Sequence, residues 1–166
     1  MTLEAGRYVC VATPGFAARV IRRVTRSKFN HSFVVGPDGA IIEATPREGI
    51  RLAKLSEYAG MPACANTAEP MTDSEREAVW AKALTLVGVE YNWAADADIG
   101  LADLGWHWRW LARLSGAGKL LMCSQAVVTA GEGPEPPMNW MCGKASAAEV
   151  SPGDLAKRPG VEPVSI

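Results

Sequence analysis

His31-Ser32-Phe33-Val34-Val35-Gly36-Pro37-Asp38-Gly39-Ala40-Ile41-Ile42-Glu43-Ala44 reads as two strands joined by a tight turn. The flanks are rich in β-branched and aromatic residues, and the middle is turn chemistry. Pro37 presets the φ of the second turn position, Asp38 suits the third, and Gly39 can take positive φ. A type I turn with a glycine bulge at Gly39 pairs Gly36 with Ala40. Val35 then faces Ile41, and Phe33 faces Glu43. Side chains alternate along a strand, so His31, Phe33 and Glu43 share one face and His31 and Glu43 are diagonal neighbours. A two-residue turn with the register shifted by one would put Glu43 on the other face. Glu43 lies between Ile42 and Ala44 in an apolar strand, where a carboxylate needs a partner or an exposed face.

The second informative stretch is Leu120-Leu121-Met122-Cys123-Ser124-Gln125-Ala126-Val127-Val128. It reads as the start of a buried helix with a cysteine in its first turn. Unpaired N–H groups and the positive end of the helix dipole meet a side chain placed there. Both favour the thiolate, the form that attacks carbonyls. A thiolate nucleophile works with a histidine base held by a third group. The chain has two histidines, His31 and His107. His31 leads the strand that returns to Glu43, which brings Cys123, His31 and Glu43 together as a candidate catalytic set. The ordinary alternatives are a structural histidine and an outward-facing glutamate.

Composition bounds the rest. The 166 residues, 48% hydrophobic and 21% charged, suit one soluble domain spanning 1–166. A net charge of −1 gives no broad electrostatic case for nucleic acid or an anionic membrane. Residues 1–7 contain Glu4 and Arg7 and no apolar run, unlike a signal peptide, so a cytoplasmic protein is expected. A phage-encoded or delivered protein would read the same. Cys10, Cys64, Cys123 and Cys142 form no CxxC pair and their spacings are irregular, so a zinc site with His31 or His107 is only weakly signalled. Cys10 and Cys64 read as small buried hydrophobes.

Along the chain, residues 7–13 suggest a first strand stopped by Pro14-Gly15. Residues 16–27 have helical spacing, with Phe16, Val20 and Val24 on one face and Arg19, Arg22, Arg23 and Arg26 over much of the rest. That basic cluster is either a solvated face or a contact for an anionic group. Residues 49–58 suggest a strand or loop running into a helical turn, and 63–67 a short strand. Thr72 and Glu75 fit a capping box. The helix they open has Val79, Ala83, Leu86 and Val87 as its buried stripe and Gly88 as its stop. Residues 98–113 suggest another helix with Leu101, Leu104, Trp108 and Leu111 on one face. Trp106 and Trp110 fall beside that stripe, as core residues, as a substrate groove or as a membrane contact. Residues 139–142 suggest a strand or loop, residues 151–155 a capped short helix with Pro152 at its first position, and the tail is extended.

Taken together, these pieces resemble the circularly permuted branch of the NlpC/P60 superfamily of papain-like cysteine hydrolases, the YiiX-like proteins. The matching stretches are His31 to Gly36 with Ile41 to Ala44, Gly88 to Asn92, Met122 to Val127, and Ser151 to Leu155. The histidine hairpin precedes the cysteine helix, the order of the permuted branch. The resemblance implies an α+β fold with an antiparallel sheet packed against helices and the catalytic cysteine at a helix N-terminus. It implies Cys123 as nucleophile, His31 as base, Glu43 as the residue that orients the imidazole, and Tyr91 as a neighbour supporting the oxyanion. Gln125 stands where a glutamate is common in YiiX-like members. The implied chemistry is acyl transfer through a thioester, with no metal or organic cofactor. The implied substrate is a peptide amide such as one in peptidoglycan. The alternatives are an acyl substrate of an acyltransferase or thioesterase, with Trp106 and Trp110 at the lipid, and a non-catalytic binding module.

Overall fold

The computed structural model describes residues 3–91, 120–135 and 137–166. Eight strands and four α-helices occur among them, numbered here in chain order. The strands are β1 (Tyr8–Val11), β2 (His31–Val35), β3 (Ala40–Thr45), β4 (Gly49–Lys54), β5 (Ala63–Ala65), β6 (Glu90–Tyr91), β7 (Leu120–Leu121) and β8 (Glu162–Val164). The helices are α1 (Phe16–Val24), α2 (Asp73–Leu84), α3 (Cys123–Gly131) and α4 (Pro152–Ala156). Six strands form one antiparallel sheet in the order β4-β3-β2-β1-β5-β8. With the helices packed on it, the described chain is α+β.

The hairpin has the expected register. Gly36 N–H donates to Ala40 O at 2.7 Å, Val35 faces Ile41, and Phe33 faces Glu43. The turn differs in one respect: Asp38 also takes a left-handed conformation, at φ 54°. Aspartate tolerates that region because its short polar side chain bonds locally.

Strand alternation divides the buried residues into two groups. Tyr8, Cys10, Val34, Ile42 and Cys64 pack with α2 and α3, and Val9, Val11, Phe33, Val35 and Ile41 form the core of the other face. Helix α3 lies against β2, β3 and α2, and nearly all of it is buried. Its glycine end fits under Trp140, where a Cβ on Gly131 would strike the indole ring. Trp140 is fully buried and meets Tyr8 edge-on at 4.9 Å.

Helix α2 starts as expected. Thr72 Oγ1 accepts from Glu75 N–H, and the Glu75 carboxylate accepts from Thr72 N–H. Such a cap contributes about 1 kcal/mol. The helix is shorter than its apolar stripe suggested. It ends at Leu84, with Val79 and Ala83 buried and Val87 exposed. In helix α1 the apolar face read from the sequence is turned outward at two positions, with Phe16 76% and Val20 45% exposed. The buried side of α1 instead carries Ala18, and Arg22 turns inward to bond Thr13 O and Asn30 Oδ1. Residues 140–142 form a turn, the tail supplies β8 at the sheet edge, and α4 carries its Ser151–Asp154 capping box.

Candidate active site

His31 is the first residue of β2, and Glu43 on β3 is the register partner of Phe33, two residues along from His31. His31 Nε2 donates to Glu43 Oε2 at 2.7 Å. The diagonal geometry read from the hairpin therefore exists as a direct hydrogen bond. Glu43 is fully buried, and 13% of the His31 side chain is exposed.

A buried carboxylate is costly unless every lone pair has a donor. Glu43 has several. Arg51, directly across on β4, donates to Oε1 from Nε at 3.0 Å and Nη2 at 2.7 Å. The Tyr58 hydroxyl donates to Oε2. Arg51 is in turn held by Glu48 and Glu57. Tyr58 lies at the end of the 3-10 turn Leu55–Tyr58 and stacks on the imidazole, centroids 5.6 Å apart. Burial pushes the Glu43 carboxyl pKa up, but the bonds from His31, Tyr58 and Arg51 outweigh it and bring it down to about 2. Burial, with the contact to Glu43 added to it, pushes the Tyr58 hydroxyl well above its usual range.

Cys123 is the first residue of α3 and is 5% exposed. Met122, at the N-cap, supplies no side-chain cap, and the first helical bond runs from Ala126 N–H to Met122 O. The N–H groups of the first turn are thus not consumed within the helix. With Nε2 of His31 bonded to Glu43, Nδ1 is the ring nitrogen not engaged by the carboxylate. Burial alone would lower the imidazole pKa. The Cys123 thiol beside the ring and the Glu43 carboxylate bonded to it outweigh burial and raise it to about 9. His31 thus joins a thiol in the core on the helix-covered face to a carboxylate on the opposite face.

Two features brace this arrangement. Ser124 Oγ donates to Val150 O, tying the first turn of α3 to the segment before α4. The parallel pair β6–β7 sets Tyr91 beside Leu121, two residues before Cys123. Gly49 lets the chain leading into β6 approach β4, since a Cβ there would strike Val89 O. Tyr91 thus has a backbone place near the site, and its side chain lies outside what is described. Trp106, Trp110 and His107 also lie outside the described residues.

Two buried polar atoms have no hydrogen-bond partner among the described residues near this pair in sequence: Ser32 Oγ, one residue after His31, and Gln125 Oε1, two after Cys123. Sequence reasoning missed Arg51 and Tyr58. For Arg51 a signal existed. A turn at Pro46–Gly49 would have set it opposite Glu43 as a cross-strand ion pair. Tyr58 has no such signal, because a turn beyond the strand delivers it.

Among the described residues, no group of three or more His, Cys, Asp or Glu side chains is placed to hold a metal ion. No helix among them is long and apolar enough to cross a membrane. No protein-family model matches the chain, and no curated protein matches it.

Proposed function

We propose that this chain is a cysteine hydrolase of amidase or endopeptidase type, with a circularly permuted papain-like fold and Cys123, His31 and Glu43 as its triad. The observation that carries the reading is the His31 Nε2–Glu43 Oε2 bond, 2.7 Å long, beside a cysteine that opens a buried helix. An imidazolium held by an ionised carboxylate is the partner a thiolate needs. Cys123 Sγ attacks the carbonyl carbon of an amide. The C=O π electrons move to oxygen, and the Cys123 N–H stabilises the oxyanion. His31 gives its proton to the leaving amine as the C–N bond breaks, leaving a thioester. Neutral His31 then takes a proton from water, which attacks the thioester and frees Cys123. Arg51 and Tyr58 act through Glu43 as positioning residues.

The test is intact-mass analysis of the protein incubated with a panel of activated peptide esters and cell-wall peptides. The expected result is an acyl adduct on Cys123 that water releases, absent in Cys123→Ser. Adduct formation spread over several cysteines, or none on Cys123, contradicts the proposal.

A further inference from the structure

We infer that α1 is a docking face for an anionic lipid bilayer. Its exposed side presents Phe16, Arg19, Val20 and Arg23, spaced three and four residues apart on one helical face. Phe16 is 76% exposed and Val20 45%, the pair that a folded core would have been expected to take. Arg26 and Lys28 extend the exposed basic surface just beyond the helix.

Charge makes the argument specific. The chain as a whole is at −1, yet residues 5–37 hold Arg7, Arg19, Arg22, Arg23, Arg26 and Lys28 and no Asp or Glu. Among the described residues no ion pair engages Arg19, Arg23, Arg26 or Lys28. A solvated basic face needs no exposed phenylalanine, and a phosphate polymer needs no exposed valine. A face combining both suits a surface that is anionic at the headgroups and apolar below them.

The helix is held firmly in this orientation. Arg22 bonds Thr13 O at 2.6 Å and Asn30 Oδ1 at 2.7 Å, and Asn30 also bonds Thr13. These anchors fix α1 at the sheet end where β2 begins, one residue before His31. A bilayer on α1 therefore lies at the same end of the sheet as the candidate site. The docking inference does not depend on catalysis there.

The experiment is vesicle co-sedimentation of the full chain with phosphatidylcholine vesicles, with and without about one-third phosphatidylglycerol. Binding to the anionic vesicles alone is expected, weakening as salt rises. Arg19→Gln with Arg23→Gln should weaken it by about thirtyfold, roughly fivefold for each arginine. Phe16→Ser with Val20→Ser should weaken it by about tenfold. All four positions are exposed, and an unchanged alkylation rate at Cys123 checks that the variants fold. No binding by the wild type overturns the inference, as does binding that both variant pairs retain. Loss with the arginine changes but not with Phe16→Ser and Val20→Ser also overturns it, because the partner would then be a polyanion read by charge alone. A chain that binds vesicles but forms no acyl adduct keeps this inference and loses the catalytic one.

Discussion

Two carboxylates at opposite ends of the sheet are held alike but differ in what their donors meet. Glu43 accepts from Arg51, from the Tyr58 hydroxyl and from His31. Glu69 accepts from Arg158 at 2.7 Å, from Trp140 Nε1 at 3.1 Å and from Asn66 at 2.8 Å. Each has an arginine and an aromatic donor. At Glu69 every donor ends in structure: Trp140 is core, and Asn66 also holds Tyr8 N–H. At Glu43 one donor is an imidazole with a second nitrogen still to use, next to a thiol at a helix N-terminus. A paired carboxylate does not by itself mark a site; what sets the proposed site apart is a titratable partner beside a thiol.

The largest expected break of this comparison is Glu43→Ala. It leaves Arg51, His31 and Tyr58 facing an empty buried position. Removing one partner of such a cluster costs about 3–5 kcal/mol. Chemical denaturation should show that loss, and the reactivity of Cys123 should fall with it. Glu69→Ala should also destabilise, by about 2–3 kcal/mol, through Arg158 and Trp140. It should leave Cys123 alkylation unchanged in the folded protein. Equal loss of reactivity in both variants would erase the distinction.

Thermal stability against pH sharpens it further. His31, raised from 6.5 to about 9, adds stability that is full below its unfolded value and lost as pH rises through about 9. Glu43, lowered from 4.5 to about 2, adds stability that is present above its unfolded value and lost as pH falls through about 2. Tm should therefore be highest between about 4.5 and 6.5 and decline toward pH 9. The alkaline loss is about 3 kcal/mol at most, shared with Glu43. It should vanish in His31→Ala. The smallest effect expected is that of Tyr58→Phe. Losing one hydroxyl donor to a charged acceptor costs about 1–2 kcal/mol. The Glu43 pKa should rise, with the pH profile of Cys123 alkylation shifting and its identity as the fastest cysteine unchanged.

These contrasts also show what a sequence can carry. The His31–Glu43 hairpin was legible because its register follows from a local turn and a period of two. The Cys123 helix was legible because a helix start is local as well. Arg51 and Tyr58 belong to the same cluster but arrive through the β3–β4 pairing and the turn after it, which no short pattern determines. Helix α1 shows a related limit. Phe16 and Val20 have the spacing of a core stripe, but spacing gives a face and not what covers it. The Glu69–Arg158 pair joins residues 89 apart in the chain, and no local signal announced it.

The most direct test is the alkylation rate of each cysteine as a function of pH, in the wild type and in His31→Ala. The account predicts that near pH 7 Cys123 reacts faster than Cys10, Cys64 and Cys142, and that it loses this lead without His31. A Cys123 that is inert, or equally reactive in both proteins, would contradict it.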